Sequence, residues 1–302
     1  MNIELKTFII LIVVALASSF ATYSLIMNKG IRKCIRKVQF ICRTSKWRGA
    51  ILKDEEKAWY TAPTPILWAY AGGGNLHKYG NSREAIDESI KNGFRVIEID
   101  VSLTSDGVPV LTHWFKPDDQ IEWDITPTLA EFKGRLINER FHPLTLKEFF
   151  GRYENSDVYF SIDPNHMVAK RMDFDLLGYI RTNASEGFQR RIIYQVYRLD
   201  DLLKVREARL PFASIHYVLS FGVDDIWTIP HLIRVFTECG VRSVSFSDRP
   251  ITKELREVIK AFNDANVRVS VSGVDYKYRV EKLMGIGVRC FNTRRLLPNM
   301  FK

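Results

Sequence analysis

The feature that most narrows the fold of this chain is a repeated change of period. From Ile66 onward, short runs rich in β-branched and aromatic residues alternate with amphipathic stretches. The β-rich runs are ILWAYAG (66–72), RVIEIDVSL (95–103), VYFSID (158–163), RIIYQVY (191–197), SIHYVLSF (214–221), VRSVSFS (241–247), VRVSVSG (267–273) and VRCFNT (288–293). Between most of them lie helix-like segments such as SREAIDESIKNG, LDDLLKVREA, TIPHLIRVFTECG, TKELREVIKAFNDAN and YRVEKLMGIG. Several end in Gly or Asn, as helix C-termini do, and Ser82 and Thr252 stand where N-caps are needed. Such alternation makes parallel βαβ units, because parallel neighbours need a crossover between them. Eight strands of this kind predict an α/β fold, a closed (β/α)₈ barrel. The rival is an open dinucleotide-binding sheet, but the AGGG run after the first strand lacks the G-x-G-x-x-G spacing. In a barrel, function sits on the loops that follow the strands. The longest, residues 114–156 with WFKPDD and TPTLAEF, is expected to make an excursion over the mouth.

The formal net charge of +9 resembles a nucleic-acid signal until it is located. Nine basic residues lie between Lys29 and Lys53 with no acid among them: Lys29, Arg32, Lys33, Arg36, Lys37, Arg43, Lys46, Arg48 and Lys53. Removing them leaves 35 Lys and Arg against 35 Asp and Glu, so the remainder is neutral and no nucleic-acid partner is expected. The basic run follows TFIILIVVALASSFATYSLIM (7–27), which is uncharged and matches the ~20 residues that a bilayer core requires. These patterns divide the chain into an N-terminal flank (1–6), a transmembrane anchor (7–27), a basic juxtamembrane linker (28–62) and a barrel (63–302). The alternative for 7–27 is a cleaved signal peptide, since ALASSFA resembles a cleavage region. A retained anchor predicts a single-pass membrane protein. The positive-inside bias then favours a cytoplasmic barrel, leaving export open, with the linker touching anionic lipid headgroups. Cys34 and Cys42 in that linker are candidate acylation sites, and no cysteine spacing suggests zinc or a disulfide framework.

The second run places Glu98 and Asp100 on one side of a strand and Ile97, Ile99 and Val101 on the other. Two carboxylates turned into a barrel lumen repel each other and resist desolvation unless a cation compensates. Ca²⁺ or Mg²⁺ suits such oxygen ligands, and the competing reading is a salt bridge to an inward Lys or Arg. Asp163 ends the third run just before Pro164 and is the candidate third ligand. His113 ends VPVLTH after the turn SDG, and its imidazole suits proton transfer near neutrality. Gly72 and Gly73 serve either a tight turn with positive φ or a close backbone approach to phosphate. Gln195 and Tyr197, at the end of the fourth run, are candidate pocket residues, with plain barrel packing as the alternative.

The motifs YAGGG, YGNSREAI, GFRVIEIDVSLTSDGVPVLTH, PLTLKEF, YFSID and RIIYQVY together resemble the glycerophosphodiester phosphodiesterase family, in its bacterial branch related to phosphatidylinositol-specific phospholipase C. The resemblance spans most of residues 66–297 and is strongest from Ala69 to His113. The block E-x-D-V-x-x-T-x-D-G-x-x-V-x-x-H is matched by Glu98, Asp100, Val101, Thr104, Asp106, Gly107, Val110 and His113. It implies a (β/α)₈ barrel that hydrolyses a phosphodiester and releases an alcohol. It also implies a divalent cation on Glu98, Asp100 and Asp163, and His113 as acid or base. Asn81 matches the family's N-S or N-T and is a candidate substrate-side or metal-side residue, with a helix-start turn as the alternative.

Departures from the family pattern concentrate at the first strand. Tyr70 stands where the family usually carries a catalytic histidine, within H-R-G or H-A-G-G, and Ala71 replaces the phosphate-gripping arginine of the H-R-G form. Tyrosine is a far weaker base near neutral pH. His77, in GGGNLHKYG, is the candidate substitute. Asn165 replaces the lysine that often follows the third acid by two residues, and Arg294 follows Thr293 where an acid is common. The expected function is metal-dependent hydrolysis of a glycerophosphodiester or a lipid-derived headgroup. The alternative is a catalytically impaired member that binds a phosphorylated ligand or partner. A barrel lyase or aldolase lacks a convincing Schiff-base lysine.

Overall fold

The computed structural model describes residues 58–77, 79–113, 126–164, 174–219 and 229–301, with backbone only at 74–77. All of them lie within one compact unit, Arg48–Lys302. Eight strands run parallel in a closed ring: β1 (Ile66–Ala69), β2 (Val96–Leu103), β4 (Tyr159–Asp163), β5 (Ile192–Val196), β6 (Ser214–Val218), β7 (Val241–Ser247), β8 (Arg268–Ser272) and β9 (Cys290–Thr293). β1 pairs with both β9 and β2, which closes the ring and removes the exposed edges an open sheet would present. This is the (β/α)₈ barrel expected from the alternating periods. A short strand not expected as one, β3 (Pro109–Leu111), returns antiparallel on β2 through a turn that needs Gly107 at φ +79°.

Helices cover the outside. Ser82 caps α1 (Arg83–Lys91), accepting from the Ala85 N–H, and Glu84 in its first turn complements the helix dipole. Thr128 and Thr145 open α2 (Leu129–Gly134) and α3 (Leu146–Arg152) with reciprocal capping boxes to Glu131 and Glu148. Both helices fall inside the connection 114–156, so its second half is not an excursion over the mouth. Its apolar residues drive it onto the barrel wall instead. Phe149 and Phe150 are fully buried, and Phe149 meets Phe160 of β4 edge-on at 4.8 Å. Phe188, from α5 (Glu186–Gln189), stacks on Phe160 at 5.5 Å and stands edge-on to Phe149 at 5.6 Å. Residues 114–125 lie outside the described set. Among the described residues the remaining α-helices are α4 (Leu176–Asn183), α6 (Leu199–Ala208), α7 (Ile229–Cys239), α8 (Lys253–Asp264) and α9 (Lys277–Met284). α8 is capped by Thr252.

The N-terminal end of the lumen is closed by a plug of Trp59, Tyr60, Ile66, Trp68, Ile193 and Cys290. Trp59 meets Trp68 edge-on at 5.1 Å and donates its indole N–H to Ser214 Oγ at 2.9 Å. That plug leaves the C-terminal end as the working face.

The single-pass membrane placement expected from the sequence requires correction. Among the described residues no helix is long and apolar enough to cross a membrane. The stretch 7–27 that prompted it, and the basic linker up to residue 57, lie outside those residues.

Truncating Phe149 to Ala removes a ring packed against four buried aromatics, Phe150, Tyr153, Phe160 and Phe188. The expected cost is ~3–5 kcal/mol, read as a lower urea midpoint at unchanged m-value. A loss under ~1 kcal/mol would mean that α3 does not belong to the core.

Candidate active site

Strand register assembles the acids. β2 and β4 pair with Glu98 opposite Ser161 and Asp100 opposite Asp163, so Asp163 enters beside Asp100 on the lumen side of the wall. Ile97, Ile99 and Val101 occupy the alternate positions and are fully buried beneath the helices. The three carboxylates offer oxygens that all lie within 4.8 Å of one another, and all three residues are buried. Like charges that close, in a desolvated lumen, favour the neutral acid. Burial first, then Asp100 and Asp163, push Glu98 well above the ordinary carboxylate range; the Ala71 N–H and Arg294 oppose that shift.

Each acid is held by a named donor. Glu98 Oε2 accepts from the Ala71 N–H at 2.7 Å. Asn81 clamps Asp100 twice: its Nδ2 donates to Asp100 Oδ2 at 2.9 Å, and its Oδ1 accepts from the Asp100 backbone N–H at 2.9 Å. Asn81 takes φ +54°, a left-handed conformation that Asn tolerates better than most residues. The Tyr197 hydroxyl donates to Asp163 Oδ2 at 2.6 Å. Burial and then the Asp163 charge raise the Tyr197 pKa, which keeps that proton on the phenol.

Glu98, Asp100, Asp163 and Tyr197 line a cavity of about 170 Å³ together with Tyr70, His113, Gln195 and His216. Thus Tyr70, Glu98, Asp100, His113, Asp163, Gln195 and Tyr197, singled out along the sequence, meet at one place. The Gln195 amide donates to Ser161 Oγ at 3.1 Å. Tyr70 follows β1 directly, and its phenol is raised by burial and then by Asp100 and Glu98. Asn81 stands behind Asp100 rather than on the cavity wall. Gly72 and Gly73 face α1: the Gly72 carbonyl accepts from Ser89 Oγ at 2.6 Å, and a Cβ on Gly73 would sit 2.0 Å from that hydroxyl. Their φ values, +76° and +93°, with Ala71 at +47°, end β1 at Ala69, three residues sooner than its β-rich run suggests. The His77 side chain and Asn165 lie outside the described residues.

Sequence reading missed the lower wall. Trp68, His216, Ser245, Ser270, Ser272 and Asn292 also line the cavity. His216 is engaged on both ring nitrogens, Nδ1 with Ser243 Oγ at 2.6 Å and Nε2 with Ser245 Oγ at 2.8 Å. Burial lowers its pKa to about 3, so it stays neutral. Ser270 Oγ, Asn292 Oδ1 and Trp68 Nε1 are buried without a protein partner. The available signal was the period-two hydroxyl pattern in VSFS and VSVS, where valine or phenylalanine faces helices and serine faces the lumen.

Clustered acids and an imidazole lining one cavity at the strand ends of a (β/α)₈ barrel define a barrel enzyme. The sequence model of the glycerophosphoryl diester phosphodiesterase family matches residues 71–296, and the chain belongs to that family. It is therefore, by class, a phosphoric diester hydrolase. Solved structures share the fold. A glycerophosphodiester phosphodiesterase of Thermotoga maritima is 18% identical, with 77% of this chain and 96% of that one covered at a TM-score of 0.58. A glycerophosphoryl diester phosphodiesterase of Parabacteroides distasonis is 17% identical, covering 78% and 86% at 0.57. A phosphodiesterase of Oleispira antarctica, solved with its product sn-glycerol-3-phosphate, is 14% identical, covering 76% and 93% at 0.62. A search of curated protein sequences returned no match.

The raised Glu98 pKa has a consequence for stability. The folded state keeps a proton on Glu98 to higher pH than the unfolded chain, which releases it near ~4.3. Stability is therefore lost as pH rises from that value through the folded pKa. Glu98→Gln should raise the Tm of the metal-free protein at pH 7. The gain should vanish near pH 4. A lower Tm at pH 7 would contradict it.

Proposed function

We propose that the cavity hydrolyses a glycerophosphodiester or a related lipid-derived headgroup with the help of a divalent cation, Mg²⁺ or Ca²⁺. The observation that carries this reading is the convergence of Glu98, Asp100 and Asp163, with oxygens within 4.8 Å of one another. The donor set fits such an ion: all oxygen, anionic and held in place by Ala71, Asn81 and Tyr197. When bound, the cation supplies positive charge to the phosphoryl oxygens as negative charge builds there.

The chain's own residues do the rest. Water attacks phosphorus, the bond to one ester oxygen breaks, and an alcohol leaves beside a phosphomonoester. His113, on the cavity wall, moves a proton at the attacking or leaving oxygen. Tyr70 is not a base for this step, because burial and then the Asp100 and Glu98 charges hold its proton in place. Its hydroxyl is suited to donating a hydrogen bond to a phosphoryl oxygen. Asn81 and Tyr197 position Asp100 and Asp163. Gly72 and Gly73 shape the turn that presents the Ala71 N–H to Glu98. Among the described residues His113 alone is placed for that proton transfer, and slower turnover than in a two-histidine site is expected.

Turnover of a glycerophosphodiester should appear with Mg²⁺ or Ca²⁺ and stop with EDTA. Glu98→Ala should abolish it, and His113→Ala should lower kcat by ~10²–10⁴. A wild-type protein that is inert with every cation tested, beside an active Tyr70→His variant, would replace hydrolysis by phosphoester binding without turnover.

A further inference from the structure

The phosphodiester anion has to approach a lumen that already carries three carboxylates. Even with a divalent cation bound, three ionised acids leave the centre with one net negative charge. A compensating cation on the protein is therefore needed close to the acids. The arginine of the family's H-R-G form after strand one is absent here: that position holds Ala71, and its N–H is committed to Glu98.

Register supplies a replacement from the neighbouring strand. β1 and β9 pair with Ala69 opposite Thr293, and β1 and β2 pair with Ala69 opposite Ile97. The next residue on each strand is then Arg294, Tyr70 and Glu98, side by side along the mouth. The side chains bear this out. The Arg294 guanidinium lies over the Tyr70 ring at 4.8 Å from its centroid, and its charge reaches Glu98. Its backbone is fixed: Asp275 Oδ1 accepts from the Arg294 N–H at 2.8 Å and from Thr293 Oγ1 at 3.1 Å. Thr293 Oγ1 in turn accepts from the Arg295 and Leu296 N–H groups, both at 3.2 Å. That turn projects Arg294 from a buried anchor while the residue itself stays exposed. Among the described residues no carboxylate forms an ion pair with the guanidinium. An exposed arginine parked on an aromatic face beside an acidic well keeps its planar fork available for an incoming oxyanion.

We propose that Arg294 is the phosphate-binding residue of this site, delivered from β9 across the Tyr70 ring, with Tyr70 as its positioning residue. The ring orients the guanidinium by cation–π attraction, which is strongest where water is partly excluded. The phosphodiester then takes two N–H donors from one side and faces the three acids on the other. The proposal rests on the phosphodiesterase reading of the same cavity.

Its test is equilibrium binding of sn-glycerol-3-phosphate to the Mg²⁺-loaded protein by calorimetry, beside kcat and KM for a glycerophosphodiester. Arg294→Gln should weaken binding by ~10–100-fold, the loss of a charge-assisted hydrogen-bond pair, and raise KM more than it lowers kcat. Arg294→Lys should fall between the two, since an ammonium keeps the charge and loses the fork. Tyr70→Ala should bind distinctly more weakly than wild type and Tyr70→Phe should fall between them, because the ring holds the arginine by its face while the hydroxyl adds a hydrogen bond. An exposed site predicts an unchanged Tm for both Arg294 variants, which separates binding from folding. Equal dissociation constants for wild type and Arg294→Gln, or no binding of sn-glycerol-3-phosphate by wild type, would overturn the proposal. Weakened binding without turnover in any protein would overturn the hydrolase reading and leave Arg294 in place. Normal turnover with unchanged binding and KM in Arg294→Gln would do the reverse.

Discussion

Three carboxylates that repel one another are forced together at the end of a closed sheet, and most of what surrounds them follows from that constraint. Burial and then that repulsion raise the Glu98 pKa. The repulsion explains why each acid meets a donor rather than another acid: the Ala71 N–H, the Asn81 side chain and the Tyr197 hydroxyl. The energy that keeps the acids in place is not local. It comes from the apolar outer faces of β2 and β4, fully buried beneath helices, which fix the register that sets Asp100 beside Asp163. A slip of one residue would turn isoleucines into the lumen and carboxylates into the helix layer. The hydrophobic shell thereby holds an electrostatically unfavourable cluster, as sites built for transition-state charge commonly require.

The interior of this barrel is polar where bulky branched residues more often fill the lumen. Ser161, Ser243, Ser245, Ser270 and His216 occupy it, all buried. His216 supplies two serine hydroxyls with partners while staying neutral, so it adds no charge beneath the acids. Small hydroxyl side chains leave the cavity open above the tryptophan plug. Ser270 Oγ, Asn292 Oδ1 and Trp68 Nε1 stand without protein partners there, and such groups in a roomy polar cavity call for water or ligand.

Much of this architecture was legible along the chain. The eight β-rich runs correspond to the eight barrel strands, because strand period and helix period differ sharply and the crossovers are long. Glu98 and Asp100 were readable as a lumen pair from alternation alone. The end of β1 was less legible. Its apolar run continues to Gly72, yet positive φ from Ala71 to Gly73 turns the chain at Tyr70. The second half of the connection after His113 was less legible for a related reason. Its capping boxes and the Phe149–Phe150 pair announce a short helix, but only the aromatic cluster with Phe160 and Phe188 shows that it belongs to the wall. The membrane placement failed differently: it rested on a stretch outside the described residues, and the helices within them are amphipathic elements of a barrel.

What the sequence determined by itself was the order of periods, and with it a barrel, its inward acids and its family motif. Those are properties of neighbours along the chain, where a repeat of two or of 3.6 residues dictates which side chains share a face. What only the tertiary structure decided was which distant residues become neighbours. Arg294 lies beside Tyr70, Tyr197 on Asp163, and His216 between two serines of the next strand. Such contacts depend on strand register around a closed ring, a long-range outcome of packing the whole core that no local pattern encodes.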